Sequence, residues 1–326
     1  MHEWKVLVTG GSGFIGTNLT ESMVNAGVVL LNLDITPPLN TRHNQYWRKV
    51  DILEPDSLGQ AIKAFQPTHI VHLAARTDIN EKQSLDGYKT NIQGTENVLK
   101  AIAATPSVKR VIIASSMLVC RLGYVPCSDQ DYAPPNLYGE SKVLTEKITR
   151  NFGLGCTWTI IRPTTIWGPW SIRYRDEFFR VLRRGHYFHP GNQRIMKCYG
   201  FVGNSVFQIQ QLLKAPESLV CGKMFYVGDP PVDLREWVGE FSKKLCGKDV
   251  HVIPLKLMRL FALVGDFAAS LGIKSPLTSF RLNNMTINNL VDLSPTMDVC
   301  GPVPFSLHDG VALTVDWLRE NEGGSV

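Results

Sequence analysis

Lys5-Val-Leu-Val-Thr-Gly-Gly-Ser-Gly-Phe-Ile-Gly16 decides the fold of this chain. Val6, Leu7 and Val8 form a short unbroken apolar run, the pattern of a strand buried on both faces. Gly10, Gly13 and Gly16 follow at once, and a helical pattern then continues to about Ala26. Gly10 permits the tight turn, Gly13 lets backbone approach a pyrophosphate, and Gly16 lets the helix pack on the strand. The helix start, with Phe14 and Ile15 in its first turn, favours an anion. Strand, glycine turn and helix in that order predict a dinucleotide-binding unit.

Working outward, Val28 to Leu33 reads as a second strand ending at Asp34. Helical and strand patterns then alternate over 57–65, 69–74, 86–104, 110–114, 138–152 and 157–162. Strands separated by crossover helices imply an α/β, Rossmann-type, doubly wound parallel sheet. After Pro163 the alternation becomes irregular and Pro, Gly and Trp accumulate. The cofactor domain is therefore assigned to residues 1–165. Residues 166–326 form a smaller mixed α/β substrate lobe, apart from a strand at 224–227 that returns to the main sheet. Gly323-Gly324-Ser325 reads as a floppy tail.

Asp34, at the end of the second strand, is placed to accept hydrogen bonds from the adenosine ribose hydroxyls. A carboxylate there repels a ribose phosphate, so NAD is favoured over NADP. Arg42 is a phosphate partner that keeps NADP as the minority alternative. At the far end of the domain stands Tyr138-Gly-Glu-Ser-Lys142. Four residues apart on a helix, Tyr138 and Lys142 share one face. A phenol titrates near 10, too high for a base at neutral pH, and an ammonium or a cationic nicotinamide beside it favours the phenolate. Ser115-Ser116 lies between the glycine run and this pair, completing three parts of a hydride-transfer site.

Charged residues make up 19% of the 326 residues and hydrophobic ones 44%, the balance of a soluble globular protein. The net charge of +5 is dispersed, so no nucleic-acid surface is expected. Arg173, Arg175, Arg180, Arg183 and Arg184 are a local exception: a solvated helix face, or a basic lip over an anionic substrate. Seven cysteines without a C-x-x-C pair exclude a disulfide framework or a zinc site, and no metal is expected. The stretch from Val252 to Ile273 is broken by Lys256, Arg259 and Asp266, which favours a buried or amphipathic helix over a membrane span. The N-terminus runs directly into a strand, leaving no room for a signal peptide. A reducing cytoplasm is the expected location.

Together these motifs resemble the extended short-chain dehydrogenase/reductase family, in its NAD-dependent epimerase/dehydratase branch. The resemblance rests on 9–16, Asp51-Ile52, His72-Leu-Ala-Ala75, Asn91-Ile-Gln-Gly-Thr95, Ser115-Ser116, Tyr138-x-x-x-Lys142 and Arg162-Pro-Thr-Thr-Ile-Trp-Gly-Pro169. It implies that Asp51 and Ile52 meet the adenine, that Leu73, Ala74 and Ala75 line the cofactor backbone, and that Asn91 also belongs to the cofactor site. It places Pro163 near the nicotinamide carboxamide. Ser116 then bonds the reacting oxygen, Tyr138 is the acid/base and Lys142 holds the nicotinamide ribose. Asn91 alone reads equally well as a helix cap, and Ser115 as a structural hydroxyl. On the substrate side the resemblance points to Thr77, Thr165, Lys197 and Arg281. Lys197 stands where nucleotide-sugar relatives carry Arg, and contacts a diphosphate only as a point charge. Such enzymes commonly form homodimers through two helices, here 86–104 and 138–152.

Met117 and Leu118 narrow the reaction. Related dehydratases carry an acidic pair there and related decarboxylases a Glu, whereas a thioether and an aliphatic chain cannot move protons. What remains is oxidation and reduction at one carbinol. A nucleotide-sugar epimerase ranks first, since Trp167, Trp170, Tyr174 and the basic run suit an anionic, ring-bearing ligand. A hydroxysteroid-type dehydrogenase ranks second, on Phe201-Val-Gly-Asn204 and the apolar helix after Pro254. A non-catalytic NAD sensor comes third, because Tyr138 and Lys142 are both kept.

Overall fold

Val6, Leu7 and Val8 are completely buried, because the strand they form, β1 (Lys5–Thr9), lies between parallel neighbours in the middle of a seven-stranded sheet. A computed structural model describes residues 4–79, 81–272, 275 and 277–321. The expected tail at 323–325, and Ile273 at the end of the apolar stretch, lie outside them. The chain divides into two units.

The first unit comprises the residues up to Trp170 together with Gly200–Asp229 and Asp292–Pro304. After β1 come α1 (Phe14–Asn25), β2 (Val29–Asp34), β3 (Trp47–Lys49), α2 (Pro55–Phe65) and β4 (His69–His72). Then follow α3 (Lys89–Ala103), β5 (Arg110–Ala114), α4 (Leu137–Asn151), β6 (Thr157–Pro163), α5 (Val202–Lys214) and β7 (Lys223–Val227). The strand order is β7-β6-β5-β4-β1-β2-β3, with every pairing in the ladder parallel. The order runs outward from β1 in both directions, as in a doubly wound fold. Leu7, Ile70, Val111 and Ile113 meet Leu58 and Ile62 of α2 and Val98, Leu99 and Ile102 of α3 in one core. At roughly 25 cal/mol per Å² of apolar surface removed from water, such burial is the main force holding the helices to the sheet.

β7 joins the edge beside β6, in the register Lys223↔Thr159 to Val227↔Pro163. Its Phe225 and Val227 are buried there, which is why sequence beyond residue 165 returns to this unit.

The second unit contains Ser171–Tyr199, residues 230–291 and the segment from Phe305. Its longer helices are α6 (Leu234–Cys246), α7 (Leu255–Ser270), α8 (Ser279–Thr286) and α9 (Leu307–Glu320). Its core is aromatic: Trp237 stacks on Phe178 at 5.1 Å and meets Tyr199 at 5.0 Å, while Phe179 lies 4.8 Å from Phe241. Tyr174 packs into this cluster against Phe179 and Trp237. In the basic run, Arg173 pairs with Glu177 and Arg175 with Asp176, so part of its charge is answered locally.

Candidate active site

Gly10 has φ +76°, and a Cβ on it would sit 2.5 Å from the Ala74 nitrogen. A Cβ on Gly16 would run into the carbonyl oxygen of Gly10. The turn therefore closes only with glycine at both places, and it sets α1's first turn against 73–75. Leu73 is fixed there by donating its N–H to the Thr9 carbonyl at 2.9 Å. Gly13 begins α1 without a side-chain cap, leaving a helix start suited to an anion.

The Asp34 carboxylate turns toward this loop. Its Oδ2 accepts the Ser12 N–H at 3.1 Å, and its Oδ1 accepts the Thr36 N–H and hydroxyl at 3.0 and 3.1 Å. It is half-buried, so the carboxylate keeps an open side. These residues fit a dinucleotide: a glycine cradle that a Cβ would fill, a helix start, and a carboxylate at the end of β2. Asp51 accepts the Leu53 N–H at 2.9 Å, and the buried Ile52 packs where a Cβ on Gly94 would stand.

Asn136 caps α4 by accepting the Gly139 N–H at 2.9 Å, which holds the first turn carrying Tyr138. Tyr138 and Ser116 are both nearly buried. Burial pushes the Tyr138 phenol above its ordinary 10, the hydrogen bond with Ser116 partly offsets this, and Tyr88, 6.1 Å away, adds to the rise. Ser116 also accepts the Leu118 N–H at 3.1 Å. Lys142, one turn along α4, sends its ammonium to the Ala114 carbonyl at 2.8 Å. Burial lowers its pKa to about 8, opposed by nearby Glu146. Burial therefore opposes the phenolate that a neighbouring ammonium favours.

Ser115 donates to Glu146 Oε1 at 2.6 Å and faces away from this chemistry. Glu146 is fully buried and bound by Arg162 through Nε and Nη2, both at 2.8 Å, and by the Tyr132 hydroxyl at 3.0 Å. This ion pair was missed in the sequence, although Glu146 continues the Tyr138, Lys142 face by one more turn.

Asn91 lies buried in α3. Its Oδ1 accepts the Arg76 N–H at 2.8 Å, and its Nδ2 donates to the Arg76 carbonyl and the Ser141 hydroxyl. It ties the segment after β4 to α4. Pro163 ends β6, and the Thr165 hydroxyl points at the Met117 sulfur at 3.8 Å. Thr77 and Arg281 are exposed. Lys197 is buried and donates to the carbonyls of Asn284 and Ile287, both at 2.6 Å, at the end of α8. Burial lowers its pKa to about 8. Two of its three donors are spent on that helix end.

Residues 6–196 match the model of the NAD dependent epimerase/dehydratase family. The chain is 27% identical over 329 residues to the N-acetyl-alpha-D-glucosaminyl-diphospho-ditrans,octacis-undecaprenol 4-epimerase of Escherichia coli O157:H7, covering 96% of this chain and 94% of that one. It is 26% identical over 249 residues to a 3 beta-hydroxysteroid dehydrogenase/Delta 5-->4-isomerase of Mycobacterium tuberculosis, covering 72% and 67%. Among solved structures it resembles UDP-glucose 4-epimerase from Thermotoga maritima, with a TM-score of 0.75 at 19% identity over 97% and 99% of the two chains.

Proposed function

The chain belongs to the NAD-dependent epimerase/dehydratase family, and we propose that it inverts one carbinol of a nucleotide sugar with NAD as its cofactor. The observation that carries this reading is the meeting of the Ser116 and Tyr138 hydroxyls one helical turn from Lys142, beside Met117 and Leu118, which cannot transfer protons. With the cofactor in place, its cationic nicotinamide together with Lys142 would favour the Tyr138 phenolate over the buried phenol. That phenolate takes the proton of the sugar hydroxyl as the carbinol becomes a ketone, while Ser116 donates a hydrogen bond to the same oxygen. NAD, when bound, would supply the reversible hydride acceptor for that carbon. Tyr138 then gives its proton back to the oxygen on the inverted centre, so nothing is consumed. Lys142 fixes the ribose next to the nicotinamide, and its positive charge favours proton loss from Tyr138.

In the same reading Gly10, Gly13 and Gly16 receive the pyrophosphate and Asp34 the adenosine ribose. Asp51 and Ile52 meet the adenine, and Leu73–Ala75 and Pro163 line the rest of the cofactor. Thr165, beside Met117, is the substrate-side contact. A homodimer through α3 and α4 of each copy belongs to this reading as well.

A second form of the substrate, a sugar diphosphate carried on a polyprenyl chain, is favoured by the E. coli relative, whose name specifies one and whose match spans nearly the whole chain. The steroid alcohol reading has less support, since that match covers 72% of this chain. The deciding experiment is proton NMR of the protein with NAD and a panel of UDP-, dTDP- and polyprenyl-diphosphate sugars. A new anomeric signal without net NADH supports epimerisation and identifies the carrier. Net NADH with a steroid alcohol, and an unchanged sugar panel, would overturn it.

A further inference from the structure

The sequence of α7 carries two apolar stripes, and only one is buried. Met258 and Ala262 pack with Leu282 of α8, and a Cβ on Gly265 would run into the Leu277 carbonyl. The opposite stripe is Leu257, Leu260, Val264, Phe267 and Leu271, at alternating spacings that keep one helical face. These side chains are 42, 56, 61, 68 and 63% exposed. From Leu257 to Leu271 the line is ~21 Å long at the rise of an α-helix. Soluble monomers rarely present a continuous apolar surface of this kind without a partner for it.

Charge shows which partner. Lys256 and Arg259 are exposed beside the outer stripe. The one acid of the helix, Asp266, is turned inward, where its Oδ1 accepts the Ser279 N–H at 3.0 Å. Between residues 255 and 281 the sequence holds Lys256, Arg259, Lys274 and Arg281 against that single acid. A two-fold dimer through this stripe would set the basic flank against its own copy, with the one acid of the helix turned away from it. Anionic lipid headgroups complement it, and the long stems of Lys and Arg reach them while apolar neighbours go deeper. Among the described residues no helix is long and apolar enough to cross a membrane.

We propose that α7 is a membrane-docking surface, lying in the interface of an anionic bilayer with Leu257, Leu260, Val264, Phe267 and Leu271 toward the acyl chains and Lys256 and Arg259 among the headgroups. The readout needs no sugar, so it succeeds or fails separately from the reaction assigned above.

The test is flotation of the full-length protein with phosphatidylcholine–phosphatidylglycerol vesicles, with light scattering in parallel. Wild type is expected to float. The triple variant Leu260→Gln, Val264→Gln, Leu271→Gln is expected to keep its melting temperature, because these side chains are 56, 61 and 63% exposed. It should lose at least tenfold in partition, roughly the worth of one apolar side chain moved out of water. Lys256→Gln with Arg259→Gln should lose about thirtyfold on the anionic vesicles and little on phosphatidylcholine alone. Wild type remaining with the free protein overturns the proposal, as does a triple variant that floats like wild type. A wild-type dimer that does not float and becomes monomeric in the triple variant would give this face to a second copy instead.

Discussion

The Lys142 ammonium donates to the Ala114 carbonyl at 2.8 Å, bracing α4 on the end of β5 just before Ser115 and Ser116. The contact holds the lysine and the reactive serine in one rigid frame. Burial brings this ammonium to about 8, so it is charged at neutral pH and loses its proton on modest alkalinisation. We expect kcat/KM, which reports the free enzyme, to fall as pH rises through about 8. Lys142→Met should be slow throughout and lack this limb; a variant that keeps the limb would assign it to another group.

Asp34 holds the Ser12 N–H with one carboxylate oxygen and Thr36 with the other. Asp34→Ala removes the ribose acceptor and loosens the glycine loop together. The expected outcome is NAD binding weakened far more than NADP binding, measured by titration calorimetry. Equal losses for both cofactors would remove Asp34 from the ribose site.

Glu146 and Arg162 are both fully buried and paired at 2.8 Å, with the Arg150 guanidinium a second cation 3.9 Å from Glu146. Removing one partner of such a pair strands a buried charge at a cost of about 3–5 kcal/mol. Glu146→Ala should lose that much in urea denaturation. A loss under ~1 kcal/mol would mean that the Asp129 carbonyl and Tyr226 hydroxyl, which Arg162 also contacts, suffice alone.

His72 is buried between two threonines. Thr95 gives its hydroxyl hydrogen to the Asn91 carbonyl, so it accepts from His72 Nε2, and Nδ1 accepts from Thr9 at 2.7 Å. The ring is held neutral, its pKa lowered to about 3 by burial and then by Lys142. A histidine depressed in the folded state takes up its proton first in the unfolded chain. Its contribution is therefore complete above pH 6.5 and lost as pH falls toward 3. At pH 5 the loss is roughly 2 kcal/mol. His72→Gln should show a shallower acid limb in stability against pH, and an unchanged limb would place the titration elsewhere.

The glycine turn, Asp34 and the alternation of strands and helices were legible because each rests on local spacing. β7 was legible for the same reason: an apolar run at 224–227 needs a covered sheet edge. Other features depend on contacts made only by the fold. Lys197 reads as a phosphate ligand in sequence, yet it is held by carbonyls of Asn284 and Ile287, far along the chain. Glu146 shares a helix face with Lys142, but its partner Arg162 arrives only when β6 is laid beside β5. In α7 the period identifies a helix, but two apolar stripes leave open which one meets water. For Tyr138 the spacing shows the ammonium one turn away, but the burial that raises the phenol comes only with the fold.

The most direct test of carbinol inversion is NMR of the reaction in ²H₂O with the sugar identified by the panel. Hydride removed and returned within one site leaves protium on the inverted carbon, and Tyr138→Phe should slow the exchange at least ~100-fold, the scale of a positioned acid/base. Deuterium at that carbon would contradict the account, as would a Tyr138→Phe protein that turns over normally.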